Sequence, residues 1–245
     1  VARIFRLQRK RPMITALVDR SGYICGLYRR YAEDLLQMRA RQKEISAKWE
    51  GMRWYDDLEG ELIYLLIRDR QPKACVEFGY GSGWSTSFIL QALVDNKSGK
   101  LWGLDVADAT ADNLPAKLRK PLTLVVANYF ESQSLVPHRF DYLHWDCDHR
   151  EAYVTRFISE MADRVHGFAS FHDVFYQADT LVESSWGKET ARPIINYLNA
   201  NSLPFFSVAN CFATTERIFT CREEIGIPRN DVIFYNTFNT SLFYE

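Results

Sequence analysis

The stretch Glu77-Phe78-Gly79-Tyr80-Gly81-Ser82-Gly83-Trp84-Ser85 constrains the fold more than any other part of the chain. It follows Ala74-Cys75-Val76, an apolar run that reads as a short buried strand. It precedes Thr86 to Val94, which reads as a helix. A strand, a glycine-rich turn and a helix N-terminus together make a site for a nucleotide-like ligand. Glycines let the backbone take positive φ and let a ligand approach without meeting a Cβ. The spacing separates ligand classes. A dinucleotide fingerprint needs G-x-G-x-x-G or A, with the last small residue letting the helix pack on the strand. Here the glycines are Gly79, Gly81 and Gly83, and Trp84 stands where a small residue is needed, which argues against an NAD enzyme. A phosphate P-loop needs Gly-Lys-Ser/Thr, and the stretch has no lysine.

Beyond this loop, strand-like and helix-like segments alternate. Strands are expected at 101–106, 122–127, 140–145, 167–171, 204–209 and 231–235, and helices at 114–119, 151–164 and 190–199. With the strand before the loop, this implies an α/β fold with a doubly wound, seven-stranded, mostly parallel sheet. Ligands in such sheets bind at the carboxyl ends of the strands. Upstream, 27–49 and 57–70 read as helices, the second ended by Gln71-Pro72. We therefore expect an N-terminal arm and helical cap over 1–70, and a catalytic core over 71–245, forming one domain overall. The arm is basic (Arg3, Arg6, Arg9, Lys10, Arg11) and reads as solvated or partly ordered. A homo-oligomer in which it covers a partner subunit's site stays open.

Composition excludes some partners. The net charge is −1, so bulk electrostatics offers nothing to nucleic acid or an anionic membrane. No apolar run approaches the ~20 residues that span a bilayer. The five cysteines (Cys25, Cys75, Cys147, Cys211, Cys221) are scattered and form no C-x-x-C. That pattern points to reduced, buried thiols and a cytoplasmic location. The start at Val1 suggests a trimmed chain or one domain of a longer polypeptide.

The acidic-x-Gly-x-Gly-x-Gly pattern from Glu77 to Gly83 resembles motif I of the class I S-adenosylmethionine (SAM) methyltransferases, which have a Rossmann-like fold. The resemblance implies that Glu77, Gly79, Tyr80, Gly81, Ser82 and Ser85 surround the methionine part of SAM, with Glu77 near its ammonium group. Asp105, at the end of the second strand, can accept both hydroxyls of a ribose. Asn128, after the third, falls where such enzymes often contact adenine.

Two later segments carry chemistry: His144-Trp145-Asp146-Cys147-Asp148-His149 at the end of the fourth strand, and Phe171-His172-Asp173 at the end of the fifth. On adjacent parallel strands, Asp146, Asp148, His149, His172 and Asp173 would converge beside the glycine loop. Carboxylates buried together need a neutralising cation or proton, and oxygen-rich ligation suits Mg²⁺ or Mn²⁺. A histidine among the ligands tilts the choice toward Mn²⁺ or a softer ion. His144 reads as a core histidine, and His138 and His166 as surface residues.

Together these motifs resemble the metal-dependent O-methyltransferases of sugars and small molecules, a branch that includes macrolide-sugar O-methyltransferases and cephalosporin-hydroxylase-like proteins. The resemblance covers roughly 55–180. It implies metal ligands at Asp146, His172 and Asp173, with His172 standing where relatives often have Asp or Glu. It also implies a general base at Asp148 or His149. The expected activity is methylation of a hydroxyl on a small-molecule or glycan acceptor, such as a deoxysugar, with SAM and Mg²⁺ or Mn²⁺ as cofactors. A catechol-like acceptor and a non-catalytic SAM-binding partner subunit are the alternatives.

Overall fold

The computed structural model describes residues 16–50, 53, 55–107, 113–175, 185–208, 213–234 and 241–244. The basic arm at 1–12 lies outside them. The helices are α1 (Ser21–Arg30), α2 (Ala32–Ser46), α3 (Asp57–Arg70), α4 (Trp84–Asn96), α5 (Glu151–Met161), α6 (Ser185–Ala200) and α7 (Ala213–Glu224). The strands are β1 (Ala74–Phe78), β2 (Lys100–Asp105), β3 (Leu122–Val126), β4 (Phe140–Trp145), β5 (Val165–Phe171), β6 (Phe205–Ser207) and β7 (Leu242–Tyr244). They form one seven-stranded sheet in the order β3-β2-β1-β4-β5-β7-β6. All neighbours are parallel except β7, which runs antiparallel to β5 and β6. The strand order reverses between β1 and β4, so a crevice opens there at the carboxyl ends of both strands.

Both sheet faces are apolar, as a parallel sheet between helices requires. Cys75, Leu101, Tyr142, Phe168 and Phe243 face α1 to α4 and α7. Phe78, Leu104, Leu143, Trp145 and Phe171 face α5 and α6. The N-terminal helices therefore build one of the two helical layers and share its core with the sheet. At the start of α3, the Asp56 carboxylate accepts from Glu59 N (3.0 Å), and Glu59 in turn accepts from Asp56 N (3.3 Å). This capping box is buried and points at the crevice end of the sheet.

Two expected elements differ. The helix expected at 114–119 is only a turn, in which Leu118 N donates to Pro115 O. A segment this short, with Pro115 inside it and Pro121 just beyond it, cannot repay helix nucleation. The strand expected at 231–235 is absent over 231–234, and residue 235 lies outside the described residues. Ile233 N and Phe234 N instead donate to the Asp57 carboxylate (2.8 and 2.9 Å), so their backbone has no need of a sheet neighbour. The seventh strand is Leu242–Tyr244.

The reading of the cysteines as reduced is also corrected. Cys25 on α1 and Cys221 on α7 form a disulfide across 196 residues of sequence, while Cys75 and Cys147 are free. Cys211 lies outside the described residues. The cytoplasmic expectation loses the support it drew from reduced thiols. Among the described residues no helix is long and apolar enough to cross a membrane.

Reduction, or Cys25→Ser, is expected to cost about 2–4 kcal/mol of stability by releasing a long loop in the unfolded chain. Denaturant titration with and without reductant measures this. Thiol counting on the denatured protein should find two more thiols after reduction.

Candidate active site

The glycine loop leaves β1 at the point of strand reversal. Gly79, Gly81 and Gly83 all have positive φ (80°, 47° and 86°). Gly79 is fixed by its neighbour as well: a Cβ there would run into the backbone carbonyl of Asp146. Asp146 N donates to Phe78 O (2.8 Å), which holds the ends of β1 and β4 together. The loop is also tied to β2, since Gly79 N donates to Leu104 O (2.8 Å) and Gly81 N to Asp105 Oδ2 (2.9 Å). Gly83 then caps α4. Trp84, in the position that a dinucleotide fold keeps small, turns inward. Its indole N–H donates to Tyr55 O (2.9 Å), and its ring packs edge-on against Trp49.

A cavity of about 870 Å³ opens along this loop. Gly79, Tyr80, Gly81, Ser82 and Ser85 line one side, with Asp105 and Asn128 toward one end and Asp146, His149, His172 and Asp173 toward the other. The expected nucleoside and metal residues thus share one space. Tyr55, Val106, Tyr129, Arg150 and Tyr153 also line it. Val106 is an apolar side chain left largely in solvent beside Asp105. No motif announced Tyr55, Val106, Tyr129 or Arg150, although the position of Val106 after the strand-end aspartate was a usable signal.

Glu77 departs from expectation. It is fully buried and does not line the cavity. Its two carboxyl oxygens accept from Ser85 Oγ (2.6 Å) and Thr86 Oγ1 (2.7 Å), so it anchors the first turn of α4 beneath the loop. Burial pushes its pKa up to about 7, against the two hydroxyl hydrogen bonds that lower it. Asn128 uses its side-chain oxygen to cap a short helical turn through Phe130 N (3.0 Å). Its amide stays exposed at the cavity edge.

The acidic cluster forms as the strand order predicts, but with a different membership. Asp146, His149 and Asp173 each bring one ligand atom to within 4.8 Å of the others. His149 Nε2 is 3.5 Å from Asp146 Oδ1 and 3.5 Å from Asp173 Oδ2. The metal set expected from sequence named His172 in place of His149. The His172 ring lies behind the triad, with Nδ1 3.1 Å from Asp146 Oδ1 and Nε2 3.6 Å from Glu59 Oε2 on α3. Tyr55 covers its face at 5.0 Å. Asp173 adopts φ 52°, a left-handed conformation that Asp tolerates better than most residues. Asp148 does not join the cluster. Both its oxygens accept from the Arg150 guanidinium. His144 is buried on the opposite face from Trp145, with Nδ1 2.8 Å from Ser170 Oγ, and His138 and His166 are exposed.

The charges of the cluster are interdependent. Burial alone would raise the Asp146 carboxyl, but the His172 and His149 rings outweigh it and hold it far below the usual carboxylate range. Burial likewise works to lower both histidines. Asp146 and Asp173 reverse this for each, with Glu59 adding to the effect at His172, so both are raised. Hydrogen bonds from Arg150 hold Asp148 below its ordinary value. Each histidine ring thus favours the charged form of Asp146, and Asp146 and Asp173 favour the charged form of each ring. Two carboxylates and an imidazole that converge in this way also form a donor set for a divalent ion.

Residues 76–174 match a family model described as a methyltransferase domain. Solved structures share the whole fold. An O-methyltransferase from Bacillus cereus in complex with S-adenosylhomocysteine (SAH) is 12% identical over 95% of this chain and 98% of its own, with a TM-score of 0.54. An O-methyltransferase of tomaymycin synthesis from Streptomyces achromogenes, in complex with SAM, is 12% identical over 93% and 89%, with a TM-score of 0.53. An SAH-bound methyltransferase from Podospora anserina is 15% identical over 85% and 87%, with a TM-score of 0.50. No curated protein matches the chain. The fold is thus that of the class I methyltransferases, and the stretch that carries the loop and the cluster is the part that matches a methyltransferase-domain model.

The buried Glu77 gives a pH prediction. Between pH 4.5 and about 7 the folded protein holds a proton that the unfolded chain has released. The stability contributed by Glu77 is therefore full below pH 4.5 and is lost as pH rises through 7. Glu77→Gln removes this dependence. The melting temperature of wild type minus that of the variant should fall from pH 5 to pH 8, as thermal scans across that range would show.

Proposed function

We propose that this chain, which matches a methyltransferase-domain model over residues 76–174, is a SAM-dependent O-methyltransferase acting on a hydroxyl of a sugar or a similar polyhydroxylated molecule. One observation carries the reading: a single cavity joins a nucleoside-type loop to a cluster of carboxylates and imidazoles. Asp105 would take the ribose hydroxyls, giving up its hydrogen bond to Gly81 N or sharing it. The loop glycines let the methionine part lie along the backbone, with the sulfonium methyl facing the cluster.

Methyl transfer is an in-line displacement, and the acceptor hydroxyl is a weak nucleophile while it keeps its proton. The donor set fits a divalent ion, with Asp146, His149 and Asp173 as the residues that would hold it. When bound, such an ion supplies Lewis acidity at the acceptor hydroxyl. Asp148 would take the proton. It is ionised, lines the cavity and lies outside the cluster. Arg150 holds it in place and weakens it as a base. Tyr153, half-buried at the wall, offers a ring face to an acceptor. Positioning of the two reactants supplies much of the remaining acceleration.

Calorimetric titration of the EDTA-treated protein with SAH tests the nucleoside half. Saturable binding is expected, weakened about 10- to 100-fold in Asp105→Ala through loss of the ribose hydrogen bonds. Absence of SAH binding would overturn the reading. With deoxysugar glycans as acceptors, Asp148→Asn should lower kcat by about 10²–10⁴-fold with SAH affinity unchanged. Asp146→Ala should keep SAH binding and lose both turnover and any response to divalent ions.

A further inference from the structure

The net charge of −1 conceals an uneven distribution. At the carboxyl ends of the strands, Asp105, Asp146, Asp148 and Asp173 line the cavity. The opposite rim, at the amino ends of β3, β2, β1 and β4, is basic. Lys117 and Lys120 stand in the turn before β3, Lys97 ends α4, Lys100 begins β2, Lys73 precedes β1 and Arg139 precedes β4. All six are exposed. We propose that this rim docks the protein on an anionic lipid surface, with the cavity turned toward the aqueous side.

The rim differs from the rest of the surface in how its charges are met. Many exposed cations elsewhere pair with carboxylates, as Arg29 does with Glu224, Arg156 with Glu160 and Arg217 with Asp19. None of the six rim cations forms an ion pair among the described residues. Lys73 Nζ donates to Ser98 Oγ (2.6 Å), and Arg139 donates to the His166 ring. Asp141 also lies at this end, but its carboxylate accepts from the backbone N–H groups of Lys73 and Ala74 (2.7 and 3.0 Å). Like charges gathered without partners repel one another, and an anionic surface relieves that repulsion on contact.

Residue type and spacing narrow the partner. Five of the six are lysines, out of nine in the whole chain. Lysine is a compact, hydrated point charge without the flat fork that arginine offers to a single phosphate or a base edge. It suits a diffuse field of negative charge better than a defined contact. The six span four neighbouring strands, about 15 Å from the spacing of paired strands, and so act together within roughly two Debye lengths at physiological salt. Nucleic acid fits less well. Among the described residues no aromatic side chain is exposed, so none stands beside the six to stack on a base. Each basic residue at an anionic leaflet strengthens binding about 5-fold.

The test uses the full chain and vesicles of phosphatidylcholine with or without about one-third phosphatidylserine, read by co-sedimentation. Binding to the anionic vesicles is expected, and it should fall steeply as salt is raised from about 0.05 M to 0.5 M. Lys73→Gln, Lys100→Gln and Lys120→Gln combined should weaken it about 10²-fold. These three side chains are exposed and do not line the cavity, so SAH affinity should be unchanged and the melting temperature unchanged or slightly raised. Both serve as folding controls, and SAH titration scores the methyl-transfer reading separately. Binding that survives the triple substitution, as the basic arm at 1–12 alone would give, would overturn the proposal. So would equal binding to neutral vesicles, or tighter binding to duplex DNA than to the anionic lipid.

Discussion

The contact between the ends of β1 and β4 sets the rest of the site. Gly79 sits so close to the Asp146 carbonyl that no side chain fits between them, and Asp146 N closes the join on Phe78 O. This junction lies at the point of strand reversal, where the crevice of an open α/β sheet must be. It fixes the distance between the glycine loop, which can take a nucleoside, and Asp146, the first member of the cluster. A larger residue at 79 would push the two apart and separate the halves of one cavity.

From that junction the site is built outward by buried polar contacts. Glu77 pins the first turn of α4 through Ser85 and Thr86, which sets where the helix N-terminus faces the cavity. On the other side, Glu59 belongs to the capping box of α3 and reaches His172. The N-terminal helices are therefore part of the active-site scaffold as well as of the core. Two carboxylates on the cavity floor are costly to bury unless positive charge meets them. In this chain that positive charge can come from the two histidine rings, or from a cation for which Asp146, His149 and Asp173 form a donor set.

Much of this was legible in the sequence, for physical reasons. The fourth strand was read at its observed bounds because Phe140 to Trp145 is a compact apolar run between turn signals. Asp105, Asp146 and Asp173 were placed correctly on one rim, because parallel strands carry their C-terminal residues to the same edge. What failed to show was decided by partners distant in sequence. Nothing local marks Glu59 or Tyr55 as neighbours of His172, or joins Cys25 to Cys221. Glu77 was read as facing the ligand because of its place in the motif, whereas the two hydroxyls of α4 claim its oxygens. Ile233 and Phe234 have the composition of a strand, and the Asp57 carboxylate satisfies their backbone instead. Single-residue choices within the cluster, such as Asp148 turning to Arg150, depend on side-chain geometry that a pattern of residues does not contain.

The central claim is that one cavity holds SAM at one end and a metal-bound acceptor site at the other. A crystal structure with SAH and Mn²⁺, with anomalous data collected at the manganese edge, tests it most directly. The account predicts SAH along residues 79–85, its ribose on Asp105 and its sulfur turned to the cluster. It also predicts one anomalous peak between Asp146 and Asp173, with His149 in contact. SAH bound elsewhere, or a manganese peak away from those carboxylates, would contradict it.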